Sequence, residues 1–226
     1  MPKVIILGTG GHAQVLWAAW QKCHTNDPTT VFSLAGWLEA ADYKGSDTFL
    51  NLPVFQESRL GWDALRKQGV THFYPGIGMV RTNPERWVLI QRLIAEGLQP
   101  ATLIHPTAII DPSADIAEGC YIGARTVIQP FAKICAGAII NTGAIVEHHT
   151  KVGLNVHVAP GAILCGQVSV GDHSMIGAGA VVIQRITVGH QVTVGAASVV
   201  VHDLPHHSVA IGNPARFEHR NKQDKY

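Results

Sequence analysis

Aliphatic residues recur at every sixth position through the second half of the chain. The register begins at Ile104, ends at Val200 and never slips over seventeen repeats. Neither an α-helix, which repeats every 3.6 residues, nor an amphipathic strand, which repeats every two, has this period. Short strands joined by tight turns do have it, and they stack into a parallel β-helix with the aliphatic side chains in a narrow core. The aliphatic positions are Ile104, Ile110, Ile116, Ile122, Ile128, Ile134, Ile140, Val146, Val152, Val158, Leu164, Val170, Ile176, Val182, Val188, Val194 and Val200.

Small residues precede most of these aliphatic positions by two places. A small side chain there lets the chain turn close to the coils above and below. One coil cannot bury its apolar face alone, so the coils have to stack and the two ends of the stack need caps. The small residues are Ala108, Ala114, Cys120, Ala132, Ala138, Ala144, Ala162, Ser174, Ala180 and Ser198.

A strand, a glycine-rich turn and a helix are predicted at the start of the chain. Lys3–Leu7 is a short apolar run, typical of a buried parallel strand, and a helical apolar pattern covers residues 14–24. Between them, residues 8–13 read GTGGHA. Glycines in this context let the backbone approach a ligand, and the helix N-terminus offers free N–H groups to a phosphate. The turn therefore indicates a nucleotide site, although glycines at such a turn also serve packing alone.

Strands and helices alternate through the rest of the first hundred residues. The patterns predict strands at residues 30–38, 52–55 and 70–74 and helices at residues 63–67 and 84–96. This alternation indicates a small, Rossmann-like parallel α/β sheet. Ligands of such sheets bind beyond the carboxyl ends of the strands.

Candidate ligand-binding residues gather at those strand ends. The glycine-rich turn, Glu39 and residues 76–81 would converge there. Asn83, Pro84 and Gly97 suit the N-cap, the first position and the closing position of the last helix. Glu39 is late for the acidic residue of a dinucleotide site and the segment is short, so a mononucleotide or a nucleotide sugar fits better. The expected substrate-binding residues are Gly8, Gly10, Gly11, His12, Glu39, Gly78 and Arg81.

The charge balance argues against several classes of partner. Seventeen Lys and Arg residues against sixteen Asp and Glu residues give a net charge of +1, without a basic run. Nucleic-acid binding and insertion into a membrane are therefore not expected. No apolar segment is long enough to span a bilayer and no signal peptide opens the chain, so we expect a cytoplasmic protein. The four cysteines form no Cys-x-x-Cys pair, which favours small buried side chains over metal or disulfide roles.

The hexad array resembles the left-handed β-helix of hexapeptide-repeat acyltransferases. Together with GTGGHA, it resembles the family of sialic-acid O-acetyltransferases and bacillosamine-pathway nucleotide-sugar N-acetyltransferases. This resemblance implies three repeats per coil and a homotrimer with active sites between subunits. It also implies a nucleotide-sugar-binding domain at residues 1–100, an acetyl-CoA-binding catalytic β-helix at 101–204, and a cap and tail at 205–226.

Four ionisable residues, Glu147, His148, His149 and His157, lie within eleven residues of one another in the middle of the array, and Glu147, His148 and His149 are the candidate catalytic residues. Histidine suits a general base because its ordinary pKa of about 6.5 lies near working pH. Metal binding is the competing use, but adjacent residues on a strand point to opposite sides, which suits one ion poorly, and no metal is expected. The resemblance aligns the general base on His148. It also implies that the acetyl-CoA-binding residues are His157, Gly166, Gly195 and Pro214.

Three repeats separate His148 from Gly166, so Gly166 should lie above His148 in the next coil. A glycine there leaves room for a thioester and exposes a backbone N–H to a developing oxyanion. The sequence departs from the family at Ala40, where a second acidic residue often follows Glu39, and at His149, where relatives carry Asp or Glu. Glu147, a residue of a neighbouring subunit, or no carboxylate at all would then assist His148.

The resulting hypothesis is an acetyltransferase that moves the acetyl group of acetyl-CoA to the amino group of a UDP-linked amino sugar for surface-glycan synthesis. An O-acetyltransferase acting on sialic acid or another sugar hydroxyl is the alternative within enzymes. A non-catalytic, trimeric nucleotide-sugar-binding module is the alternative from another class. The sequence specifies neither the sugar nor the nucleotide.

Overall fold

The computed structural model describes residues 2–26, 32–79 and 82–219 of the 226-residue chain. Its first hundred residues form a sheet flanked by helices, and the remainder winds into a prism of short strands. The elements of the first part are β1 (Lys3–Leu7), α1 (Gly11–Asn26), β2 (Ser33–Glu39), β3 (Thr48–Phe49), β4 (Leu52–Gln56), α2 (Arg59–Lys67), β5 (Val70–Tyr74), α3 (Pro84–Ala95) and β6 (Gln99–Pro100).

The first sheet has the strand order β3-β4-β2-β1-β5-β6. The strands from β4 to β6 in this order run parallel, and β1 is almost completely buried in the middle. The edge strand β3 pairs antiparallel with β4 across a turn at Leu50 and Asn51. A two-residue connection can join only antiparallel strands, so the sheet is mixed at this edge rather than parallel throughout.

The helix ends confirm the signals in the sequence for α3. The Asn83 Oδ1 accepts a hydrogen bond of 3.1 Å from the Arg86 N–H, and Pro84 occupies the first position of the helix. The chain leaves the helix through Gly97, whose φ of 92° is accessible to glycine. The helix α1 begins at Gly11 rather than at residue 14, so its N-terminus lies directly on the glycine-rich turn.

The second half is a left-handed parallel β-helix of two-residue strands. Each strand pairs with the strand three places later, as Tyr121 pairs with Ile139, so three repeats make one coil as expected. The strands are β7 (Leu103–Ile104), β8 (Ile109–Ile110), β9 (Asp115–Ile116), β10 (Tyr121–Ile122), β11 (Val127–Ile128), β12 (Lys133–Ile134), β13 (Ile139–Ile140), β14 (Ile145–Val146), β15 (Lys151–Val152), β16 (His157–Val158), β17 (Ile163–Leu164), β18 (Ser169–Val170), β19 (Met175–Ile176), β20 (Val181–Val182), β21 (Thr187–Val188), β22 (Thr193–Val194) and β23 (Val199–Val200).

These strands form three sheets, which are the three faces of the prism. The first face begins with β7, the second with β8 and the third with β9. The predicted aliphatic positions fill the core between the faces, with Ile122 and Val194 fully buried. The first coil is the exception, because no coil precedes it: Ile104 is 40% exposed, and Ile110 and Ile116 are only partly buried.

The C-terminal segment extends the first face. The strand β24 (Ser208–Gly212) pairs in parallel with β22, and β25 (Ala215–His219) returns antiparallel to it. Leu204 closes the core at this end. The assignment of residues 1–100, 101–204 and 205–226 to three functional units stays a prediction.

The first sheet packs against the first face of the prism. Tyr121 and Ile139 point outward from that face and are buried in one apolar cluster with Val4, Ile6 and Tyr74. The carboxyl ends of β1 and β5 therefore lie beside the prism. The candidate site lies at this junction.

Candidate active site

A pocket of about 650 Å³ lies between the carboxyl ends of the sheet and the first face of the prism. We call it the glycine-loop pocket. It brings together the residues predicted from the glycine-rich turn and from the loop after β5. Its lining is Gly8, Thr9, Gly10, Gly11, His12, Val15, Glu39, Gly76, Ile77, Gly78, Met79, Asn141 and His157. The predicted substrate-binding residue Arg81 lies outside the described residues.

Glu39 holds the glycine-rich turn in place. One oxygen of its carboxylate, Oε1, accepts hydrogen bonds from the Thr9 N–H at 2.6 Å and from the Thr9 hydroxyl at 2.7 Å. Gly8, with a φ of 82°, donates its N–H to the Leu38 carbonyl, which ties the same turn to β2. The turn is thereby preorganised, and the free N–H groups at the start of α1 face the pocket.

His157 is buried where the pocket meets the prism. Its Nδ1 lies 2.9 Å from the Met79 carbonyl oxygen, so Nδ1 carries the proton and donates. Its Nε2 then accepts from the Asn141 side-chain amide at 3.2 Å. The Thr142 N–H donates to Asn141 Oδ1 at 2.8 Å, which orients that amide toward His157. Burial lowers the pKa of His157 to about 4, with a further contribution from Arg86, so the ring is neutral near pH 7.

His12 faces the same pocket. Burial, and then Arg86 and His157, lower the pKa of His12 to about 3, so this imidazole is also neutral. Within the described residues its Nε2 is buried and has no hydrogen-bond partner. A buried polar atom without a partner is costly, and one in a ligand pocket is available to a bound molecule.

A second pocket, which we call the His148 pocket, lies at the corner between the second and third faces. The place where a Cβ of Gly166 would lie is 2.5 Å from His148 Nε2, so the missing side chain creates space above the imidazole. At some corresponding positions of the prism the N–H is paired, as Leu154 donates to Asp172 Oδ1. The Gly166 N–H has no such partner in the described part of the chain. The lining is Ile145, Glu147, His148, Ile163, Cys165, Gly166, Gln167, Gln184 and Arg185.

The cluster that is compact in sequence is divided in the structure. His148, His149 and Glu147 lie at the corner of the second and third faces, whereas His157 lies on the first face. The predicted acetyl-CoA residues are divided as well. Gly166 lines the His148 pocket, Gly195 packs against Ile211, and Pro214 lies in the turn between β24 and β25.

Solved structures with the same fold and related sequences identify the chemistry. PerB from Caulobacter crescentus, solved in complex with CoA and GDP-perosamine, is 35% identical, with a TM-score of 0.84 over 96% of this chain and 98% of that chain. The acetyltransferase domain of PglB from Neisseria gonorrhoeae, in complex with acetyl coenzyme A, is 31% identical, with a TM-score of 0.80 over 95% of this chain and 98% of that chain. No family model and no curated protein sequence matches the chain.

The chain belongs to the hexapeptide-repeat nucleotide-sugar acetyltransferases. It is an acetyl-CoA-dependent enzyme, and the predicted β-helix architecture is confirmed. In the described ranges of this acetyltransferase, no group of three or more His, Cys, Asp or Glu residues is arranged to hold a metal ion. None of its described helices is long and apolar enough to cross a membrane.

The sequence analysis did not identify Arg86 as a structural residue of the acetyltransferase. Arg86 is only 2% exposed and joins the first sheet to the prism. It donates to the carbonyls of Ile77 at 2.7 Å, Gly137 at 2.7 Å and Pro75 at 3.3 Å, and to Asn155 Oδ1. The bonds to Pro75 and Ile77 hold the residues on both sides of Gly76, which lines the glycine-loop pocket.

The sequence did contain signals for Arg86 and for Asn141. Arg86 is followed by Ile90 and Leu93 at the spacing of one helix face, so a charge lies on the apolar side of α3. Asn141 occupies the register position that holds Gly177 and Gly195 in later coils. A larger polar side chain in a column of small ones indicates a residue that reaches outward.

Proposed function

We propose that this acetyltransferase transfers the acetyl group of acetyl-CoA to the amino group of a nucleotide-linked sugar. The glycine-loop pocket supports this proposal most directly, because it combines free helix N–H groups for phosphate with neutral imidazoles at its prism end. PerB was solved with an amino sugar linked to a nucleotide. The hypothesis of a UDP-linked sugar, used for surface-glycan synthesis in the cytoplasm, remains part of the proposal.

His148 is the proposed general base. The amine nitrogen attacks the thioester carbonyl carbon, and His148 Nε2 takes the proton that the nitrogen loses. The unpaired Gly166 N–H donates to the oxyanion of the tetrahedral intermediate. The carbon–sulfur bond then breaks, and the thiolate of CoA takes the proton from the imidazolium. Glu147 shares this pocket, and His157, Gly195 and Pro214 are proposed to contact acetyl-CoA.

A homotrimer is proposed because one outer face of the prism is apolar and uncovered. The outward residues of the third face are polar, and the first face lies partly under the sheet. The second face is aliphatic in every coil, and Ile109 on it is 66% exposed. Its outward residues are Ile109, Val127, Ile145, Ile163, Val181 and Val199. A continuous apolar stripe of this length is typical of a subunit interface.

The same arrangement would complete the active site. Asn141 and His157 lie by the corner of the first and second faces, and His148 lies at the corner of the second and third faces. When three copies present their second faces to one axis, the His148 corner of one copy lies beside the Asn141 corner of the next. The proposed base therefore reaches the glycine-loop pocket of a neighbouring subunit.

Replacing Ile163 by glutamate should abolish the trimer at micromolar concentration. The substitution places a charge at the centre of the apolar second face, where burial without a partner costs several kcal/mol. Sedimentation velocity measures the assembly, and activity should fall with the trimer because each site needs two subunits. Ser169→Glu, at the same repeat position of the third face, is the control and should remain trimeric. A trimeric and active I163E variant would show that the interface lies elsewhere.

The function itself is tested with acetyl-CoA and a panel of UDP-, GDP- and CMP-linked amino sugars. Free thiol should appear with one amino sugar, and the product should gain 42 mass units, the mass of an acetyl group in place of a hydrogen. Resistance of the product to hydroxylamine would identify an amide, whereas cleavage would identify an ester and favour O-acetylation. Tight binding of a nucleotide sugar without thiol release from any member of the panel would favour a non-catalytic binding module.

A further inference from the structure

His148 and His149 form a direct pair of imidazoles. The Nδ1 atoms of the two rings are 3.2 Å apart, their ring centroids are 5.4 Å apart and the rings are nearly perpendicular, at 85°. Both side chains are exposed at the corner between the second and third faces. The carboxylate of Glu147, the other candidate partner of His148, makes no hydrogen bond to either ring within the described residues.

The contact between two Nδ1 atoms restricts the tautomers of the pair. A neutral imidazole has one nitrogen that donates and one that accepts. One ring must therefore carry its proton on Nδ1 and the other on Nε2. If Nδ1 of His148 is the donor, its Nε2 has a free lone pair directed at the space between His148 and Gly166. If Nδ1 of His149 is the donor, that lone pair is absent and His148 cannot act as a base there.

His149 is held in this position by the coil before it. Its ring packs on Phe131, with centroids 5.0 Å apart, and the backbone N–H of His149 donates to the Pro130 carbonyl at 3.0 Å. Phe131 and His149 occupy the same register position in successive coils, and both have a positive φ near 60°. Two neighbouring turns therefore carry a phenyl ring and an imidazole in contact, and His149 Nδ1 faces His148.

We propose that neutral His149 is the positioning residue that keeps His148 in its basic tautomer. His149 Nδ1 accepts the hydrogen bond from His148 Nδ1–H, and His148 Nε2 is thereby left free for the proton of the substrate. This inference rests on the proposed role of His148 as the general base. It assigns to an uncharged side chain the orienting task that the family comparison assigns to a carboxylate.

The pairing has a consequence for the dependence on pH. A protonated His149 cannot accept from His148, so either imidazole can inactivate the pair when it binds a proton. A carboxylate at position 149 would still accept, and its charge would favour the imidazolium form of His148. The other titratable groups lining the pocket are Glu147, Cys165 and Arg185, and all three are unchanged in the variants below.

Two substitutions at position 149 distinguish the effect of the hydrogen-bond acceptor from the effect of ring packing on Phe131. His149→Phe keeps an aromatic ring on Phe131 and removes the acceptor, and kcat should fall by about 10- to 100-fold, the range seen when the hydrogen-bond partner of a metal-bound histidine is lost. His149→Glu restores an acceptor, so its kcat should recover to at least the wild-type value. The acid limb of the kcat profile of this variant should lie at higher pH than in the wild type. KM for acetyl-CoA should change little in either variant.

The tautomers are measured independently of activity by ¹⁵N NMR of the two imidazoles. In the wild type at neutral pH, His148 should carry its proton on Nδ1 and His149 on Nε2, and His148→Asn assigns the signals. In H149F, the Nε2–H tautomer of His148 should become populated. This measurement needs no substrate. It can therefore contradict the proposed pairing of His148 and His149 even if the enzyme transfers acetyl groups, and it can support the pairing even if no acetyl transfer is found.

Two results would overturn the proposal. One is a His148 ring that carries its proton on Nε2 in the wild type. The other is an H149E variant that is no more active than H149F while both fold and assemble normally, since the acceptor would then have no effect on the rate.

Discussion

Replacing His148 by asparagine is expected to lower kcat by about 10²- to 10⁴-fold, the usual contribution of a general base. Asparagine is polar and fits an exposed turn, but its side-chain amide cannot take the proton of an attacking amine. The space next to Gly166 and the Gly166 N–H remain, so acetyl-CoA should bind with little change in KM. Thiol release under saturating substrates measures kcat, and isothermal titration with CoA measures binding.

The control for this variant is another exposed histidine of the prism. His202 occupies the same place in its repeat as His148 and lies outside both pockets of the site. His202→Asn should retain wild-type kcat. If H148N keeps near-normal turnover on the best acceptor, then His148 is not the base and the His148 pocket has another role.

The prism could be predicted because its six-residue period is visible in the side chains of the sequence. An aliphatic residue at every sixth position fixes both the strands and the core, and the register holds from Ile110 to Val200 in the structure. Family resemblance added the count of three repeats per coil. With that count, the stacking of Gly166 over His148 follows by arithmetic, and the structure contains it.

The sequence analysis did not recognise that His148 and His157 lie at different places on the prism, although the eighteen-residue period of the coil predicts it. His148 and His157 are nine residues apart, which is half of one eighteen-residue coil. Residues separated by half a coil lie on opposite sides of a prism, so one chain cannot bring these two imidazoles together. Proximity in sequence suggested a single cluster, whereas the period places one histidine at each of two different sites.

The contacts across the junction could not be predicted from local patterns. His157 is fixed by the Met79 carbonyl, seventy-eight residues earlier in the chain, and Arg86 reaches Gly137 and Asn155 on the prism. Each bond depends on how the first sheet packs against the first face. Periodicity reports the faces of single elements and carries no information about which distant carbonyl meets which side chain.

Replacing Gly166 by alanine is expected to lower kcat/KM for acetyl-CoA by about 10²-fold or more, the scale of displacing reacting groups by about 1 Å. The new methyl group would lie 2.5 Å from His148 Nε2, which is closer than atoms can approach without movement. Either the imidazole turns away from the substrate or the methyl occupies the space of the thioester. Both outcomes remove the geometry that the proposed reaction needs.

The fold should tolerate this alanine, which makes the test specific for the site. Gly166 does not have a positive φ, so alanine brings no backbone strain. The same place in the repeat holds alanine elsewhere in the prism, at Ala124, Ala136, Ala178 and Ala196. The midpoint of urea unfolding and the sedimentation coefficient should therefore match the wild type. A G166A variant with normal kcat/KM would show that the thioester does not lie between Gly166 and His148, whereas a variant that unfolds early would show that the glycine serves the prism itself.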